Sequence, residues 1–97
     1  MAQESKLQSK ILKDLRNIDN CFVFKIQKAS DNGVPDIFFS HINTGGIFIE
    51  VKAPNKTPSK LQRKKISDIN QSGCKAFYCD SWELWLAIRQ SINIPKK

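Results

Sequence analysis

The hydrophobic repeat of this 97-residue chain switches back and forth between the helical and the extended period, and the order of those switches restricts the fold more than any other feature. Leu7, Ile11, Leu15 and Ile18 recur at helical spacing and predict an amphipathic helix from Glu4 to Ile18, with Glu4 and Gln8 at the head of the same stripe. Cys21 to Gln27 sets Phe22, Phe24 and Ile26 against Cys21, Val23, Lys25 and Gln27, the alternation of a first strand. Pro35 to Ser40 and Ile47 to Ala53 predict two more strands, joined by the turn-forming stretch His41 to Gly46. Pro54 to Pro58 breaks the pattern. A second helix is then expected, with Pro58 in its first turn, Ser59 and Gln62 as a capping box, and Gly73 just past its end at Ser72. Cys74 to Cys79 predicts a fourth strand, and Asp80 with Glu83 repeats the capping pattern before a last helix carrying Leu84, Trp85 and Ile88.

The order is therefore α-β-β-β-α-β-α. A helix between the third and fourth strands demands a crossover and a parallel pair, whereas the hairpin strands are antiparallel. An α/β fold with a mixed four-stranded sheet flanked by helices follows, in one domain spanning residues 1–97, because a chain this short builds one core.

Charge is distributed unevenly. The chain carries a net charge of +7, and most of the excess lies between Lys52 and Lys75, where Lys52, Lys56, Lys60, Arg63, Lys64, Lys65 and Lys75 face Asp68 alone. Such a segment suits a polyanion, and equally a solvated helix surface that keeps the protein soluble. Three cysteines without CxxC spacing and the single histidine, His41, support neither a disulfide framework nor a zinc site. No apolar run is long enough to span a bilayer or to follow the N-terminal basic residues as a secretory signal. A location inside the cell, with no membrane partner, is the expectation.

Chemistry concentrates in the second and third strands. In Ile47-Phe48-Ile49-Glu50-Val51-Lys52, period-two alternation puts Phe48, Glu50 and Lys52 on one face. Glu50 interrupts an apolar run, where an unpaired charge is expensive, so it needs a partner such as Lys52 or a cation. Asp36 opens the preceding strand behind Gly33-Val34-Pro35, and the hairpin brings it toward Glu50. Two converging carboxylates repel, and a divalent cation is the usual remedy. Carboxylates that hold Mg²⁺ or Mn²⁺, with a lysine beside the attacking water, are what phosphodiester cleavage requires. A structural Glu50–Lys52 ion pair and a turn-capping Asp36 would give the same pattern. Gln62 shares a helical face with Ile66 and Ile69, so it points inward, as a cap partner of Ser59, as part of a site, or both. Glu4 heads the apolar stripe of the first helix, either as a further acid at the site or as a first-turn carboxylate favoured by the helix dipole.

These pieces, in this order, resemble the virus-type replication-repair nuclease (VRR-NUC) domain of the PD-(D/E)XK nucleases: Glu4 on an N-terminal helix, Gly33-Val34-Pro35-Asp36, Ile49-Glu50-Val51-Lys52-Ala53-Pro54, Ser59-Lys60-Leu61-Gln62, and Gly73 before the last strand. The resemblance covers almost the whole chain. It implies Asp36, Glu50 and the Val51 carbonyl as ligands of Mg²⁺ or Mn²⁺, Lys52 beside the attacking water, and Gln62 organising the site. It also implies a DNA endonuclease that stands without accessory modules, as in small viral and bacterial members, selective for branched DNA and resembling Holliday-junction resolvases in acting as a dimer. A single site per chain also favours a twofold homodimer for cutting two strands; Trp82, Trp85 and Tyr78 either supply its apolar patch or pack the last helix on its own sheet. Lys56, Lys60, Arg63 and Lys64 are the candidate phosphate contacts. The competing readings are a non-catalytic nucleic-acid-binding module on the same fold, and a nuclease acting on RNA or flap substrates.

Overall fold

A computed structural model describes residues 2–27 and 31–94. The elements run α1 (Ala2–Arg16), β1 (Cys21–Lys25), β2 (Ile37–His41), β3 (Gly45–Val51), α2 (Lys60–Gln71), β4 (Lys75–Cys79) and α3 (Trp82–Ser91). The strands form one sheet in the order β1-β2-β3-β4, with β1–β2 and β2–β3 antiparallel and β3–β4 parallel. The expected element order and mixed sheet are both present.

One face of the sheet carries the core. Ile37 and Phe39 of β2, Ile47, Ile49 and Val51 of β3, and Cys79 of β4 are fully buried there beneath Ile11 and Leu15 of α1 and Trp85 of α3. Leu12 joins the stripe predicted on α1, and Phe39 meets Trp85 edge to face at 6.0 Å. The two helices are joined by a polar knot inside this layer. Trp85 Nε1 donates to Asp14 at 2.8 Å, and Arg89 Nη1 reaches both Asp14 oxygens at 3.0 and 2.9 Å. Helix α2 lies against β4 and holds on differently. None of its residues is fully buried, and Asn70 clasps the main chain of Ala76, accepting from its N–H at 3.0 Å and donating to its carbonyl at 3.1 Å.

Several element ends move from their expected positions. Strand β2 starts at Ile37, leaving Pro35 and Asp36 before it, and it takes in His41, so the hairpin loop is only Ile42, Asn43 and Thr44. Strand β3 ends at Val51, which puts Lys52 just beyond the sheet, and β1 ends at Lys25. Pro58 precedes the helix instead of entering its first turn, because Ser59 is the N-cap. The cap of α3 is Ser81, whose hydroxyl accepts from Leu84 N–H at 3.0 Å, rather than Asp80. Of the two roles open to Trp82, Trp85 and Tyr78, an apolar patch or packing of the last helix on the sheet, the two tryptophans take the second. Trp85 is core, Trp82 packs against the core with Lys10 Nζ 4.5 Å over its ring, and only Tyr78 is exposed.

Candidate active site

The second face of the sheet holds Asp36 and Glu50, while Lys52 follows the end of β3, Gln62 lies on α2 and Glu4 on α1. Asp36 is fixed before its carboxylate is considered: its N–H donates to Ile49 at 3.0 Å and its carbonyl accepts from Ile26 N–H at 2.6 Å. Its Oδ2 then accepts from Val51 N–H at 2.9 Å, so one side chain ties the entrance of β2 to the exit of β3. The neighbouring loop is tight. Gly33 has φ +83, and a Cβ there would lie 2.9 Å from Leu61 Cγ and 3.2 Å from the Leu61 carbonyl, which seats the Asp36 loop on the first turns of α2.

Glu50 is buried, with 3% of its surface exposed. Its Oε2 accepts from Gln62 Nε2 at 3.0 Å, while Oε1 faces no donor. Burial first and the Asp36 charge second push the Glu50 carboxyl up to about 8, and burial likewise raises Asp36 above the ordinary carboxylate range despite the Val51 N–H. The two acids lie close enough to share a proton, and Glu4 adds negative potential to both. A buried acid pair with one orphaned oxygen calls for a proton or a cation.

Lys52 is not ion-paired with Glu50; its Nζ donates to Gln62 Oε1 at 3.3 Å. That same Oε1 accepts from Ser59 N–H at 2.8 Å, and Gln62 N–H donates to Ser59 Oγ at 3.1 Å, completing the capping box. Gln62 therefore does both things the sequence left open: it caps α2 and bridges Glu50 to Lys52.

Asp36, Glu50, Lys52 and Gln62 are thus gathered at one place, with Glu4 of α1 near enough to act on both acids. Val51 stands between Glu50 and Lys52. Two converging carboxylates offer oxygen ligands, which suits Mg²⁺ with water completing its shell. Among the described residues no group of three or more His, Cys, Asp or Glu is gathered that could hold a metal. The candidate phosphate contacts divide. All four are exposed, and two are engaged: Arg63 Nη1 donates to the Pro58 carbonyl at 2.8 Å and Lys64 pairs with Asp68 at 3.4 Å. The sequence reading missed Asn70, whose place on the sheet-facing side of α2 beside Ile66 and Ile69 was its only signal, and it named Tyr78 only for an apolar role, whereas Tyr78 stands in register with Glu50.

A family model described as the VRR-NUC domain matches residues 2–83 of the chain. Among solved structures, a protein described as "VRR_NUC domain protein" shares the fold with a TM-score of 0.76, covering 97% of this chain and 91% of the other at 16% identity. A search of the curated proteins finds no match.

Proposed function

This chain belongs to the VRR-NUC family, a nuclease-type domain, and we propose that it is a Mg²⁺- or Mn²⁺-dependent DNA endonuclease, structure-selective for branched DNA such as a Holliday junction and working inside the cell as a homodimer. The observation that carries this reading is the convergence of Asp36 and Glu50, raised above the ordinary carboxylate range, beside a lysine held on Gln62. A module that only binds nucleic acid gains nothing from two repelling acids turned toward a polyanion.

Asp36, Glu50 and the Val51 carbonyl would hold the cation, with Glu4 adding negative potential. The bound metal supplies charge neutralisation at the phosphate and a water acidified toward hydroxide. The remaining work falls to the chain. Asp36 keeps its orientation through the Val51 N–H, and Gln62 holds Glu50 facing inward. Lys52, positioned by Gln62, orients the nucleophile and balances charge that develops on the phosphate. Lys56 and Lys60 carry the backbone of the substrate to the site.

The test is cleavage of four-way-junction, flap and linear duplex DNA in Mg²⁺ or Mn²⁺ by the wild type, Lys52→Ala and Asp36→Ala. Loss of about 10²-fold or more in rate by each variant, with DNA binding retained, is expected. If both variants cut as well as the wild type, the assignment is wrong. Salt-sensitive binding with no metal-dependent product from the wild type would instead identify a binding module.

A further inference from the structure

The sheet face that holds Asp36 and Glu50 also carries a run of four phenylalanines that the chemistry above does not use. Phe22 and Phe24 of β1, Phe38 of β2 and Phe48 of β3 meet ring to ring, with centroids 5.8, 5.5 and 5.0 Å apart in succession. Phe24, Phe38 and Phe48 are partners in the strand register, so three of the rings form one row across the sheet. The next row on the same face contains Ile26, Asp36, Glu50 and Tyr78, tied by the Ile26–Asp36 hydrogen bond and the Glu50–Tyr78 pairing. One step of two residues along a strand, about 7 Å, separates the rings from the acids. That distance matches the spacing of successive nucleotides in an extended strand.

The rings are open to solvent on the β1 side, where Phe22 is 65% and Phe24 43% exposed. Exposed phenyls in contact with one another are costly on a small surface and mark a binding face. Gly46 permits the arrangement, because a Cβ there would stand 3.1 Å from the Phe38 ring. Helix α2 lies against β4 and carries the basic segment across the sheet from β1; its Leu61 and Lys65 stand against Gly33, where Lys65 pairs with Asp31 at 3.2 Å. An apolar π surface one strand step from the proposed phosphate-cleaving site, on a chain with a basic helix, complements a polyanion that has aromatic bases. A second protein chain laid over the row would sit within one strand step of the acids and block them.

The geometry points to a base-stacking platform: Phe24 and Phe22, supported from below by Phe38 and Phe48, take unpaired bases of the strand whose phosphate lies at Asp36 and Glu50. This rests on the nuclease reading above and gives that site its selectivity for DNA with unstacked nucleotides at a branch or gap.

The probe is a DNA duplex with a three-nucleotide gap carrying 2-aminopurine, and the same duplex with abasic residues in the gap, titrated in EDTA onto the wild type, Phe22→Ala, Phe24→Ala, Phe24→Leu and Phe24→Trp. The expected results are 2-aminopurine quenching by the wild type, about tenfold weaker binding for Phe24→Ala and for Phe24→Leu, and retention by Phe24→Trp. Phe22→Ala, at the more exposed position, gives a smaller loss of the same sign. Abasic DNA costs the wild type a similar factor but costs Phe24→Ala little more, because the same contact has already gone. Equal abasic penalties in the wild type and Phe24→Ala, or full affinity for Phe24→Leu, overturn the platform. So does a wild-type dimer that sediments as a monomer after Phe22→Ala or Phe24→Ala, since the face then belongs to a second copy. Metal-dependent cleavage by the wild type is scored separately: its absence sinks the nuclease reading, and persistent coupling between Phe24 and the gap bases keeps the platform.

Discussion

Gln62 Nε2 donates to Glu50 Oε2 at 3.0 Å while the same side chain closes the capping box of α2 through Ser59. One amide therefore sets both the start of a helix and the orientation of a buried acid. Gln62→Ala removes the two effects together. Groups that orient metal ligands are worth about 10- to 100-fold in metal affinity or activity, so the Mg²⁺ concentration for half-maximal cleavage should rise by at least tenfold. A metal titration of cleavage checks this, and an unchanged midpoint would separate Gln62 from the site.

The metal-free protein should lose stability as pH rises. Glu50 titrates in the ordinary carboxylate range when unfolded and at about 8 when folded, and Asp36 is shifted in the same direction. Between those values the folded chain holds more protons than the unfolded one, so stability present at low pH is lost as pH climbs through about 8. Melting in EDTA at pH 5, 6.5, 8 and 9 reads the trend, and a rising melting temperature would contradict it. Asp36→Asn keeps an acceptor for Val51 N–H and removes one charge, so it should flatten the profile. At pH 8 a relief of about 1 kcal/mol would raise the melting temperature by roughly 4 to 8 °C while abolishing cleavage. Added Mg²⁺ should stabilise the wild type more at pH 8 than at pH 6, because binding competes with protons.

Gly33→Ala should damage the site from outside it. The left-handed backbone alone costs about 1 to 2 kcal/mol, and the added methyl must displace Leu61 or the turn beneath it. Because that turn carries Gln62 and the Gly33 loop carries Asp36, cleavage should fall further than the loss of stability explains. Gly73→Ala, with φ +104 and nothing within 4 Å of the added atom, is the comparison: it should lower the melting temperature and leave turnover intact. Equal effects on turnover would show that the Gly33 contact does not matter to the site.

Among the basic residues, Lys56 and Lys60 should dominate DNA binding. All four candidates are exposed, but Arg63 is engaged with the Pro58 carbonyl and Lys64 with Asp68. Replacing both Lys56 and Lys60 with alanine should reduce the slope of log affinity against log salt by about 2. Replacing Lys64 should change it by less than 1. Single-turnover cleavage at saturating DNA should be nearly unchanged in either case.

The elements and the acids were legible in the sequence because each had a strong local signature. Alternating Ile47, Ile49 and Val51 made β3 unmistakable, and a carboxylate at position 50 in that run had to be explained. Ser59 and Gln62 marked the helix start for the same reason. Strand ends were less legible, since β2 and β3 stop where pairing stops, and pairing is set by residues on other strands. The Asp14–Trp85–Arg89 knot was invisible: its members lie 71 and 75 positions apart, and each alone reads as a surface or core residue. For Trp82 and Trp85 the local pattern left an outer patch and the core both open, and the fold takes the core.

Helix α2 has a fully buried residue nowhere along its length and is fastened near its two ends by amides, Gln62 to Glu50 and Asn70 to Ala76. An element with no fully buried residue opens more readily than the core when a protein fluctuates, below the free energy of global unfolding. Amide hydrogens of α2 would then exchange with solvent sooner than those of α1 and β3. Warming would then stop the proposed cleavage reversibly, as Glu50 and Lys52 lose their bridge, while the layer of α1, α3 and the sheet is still intact.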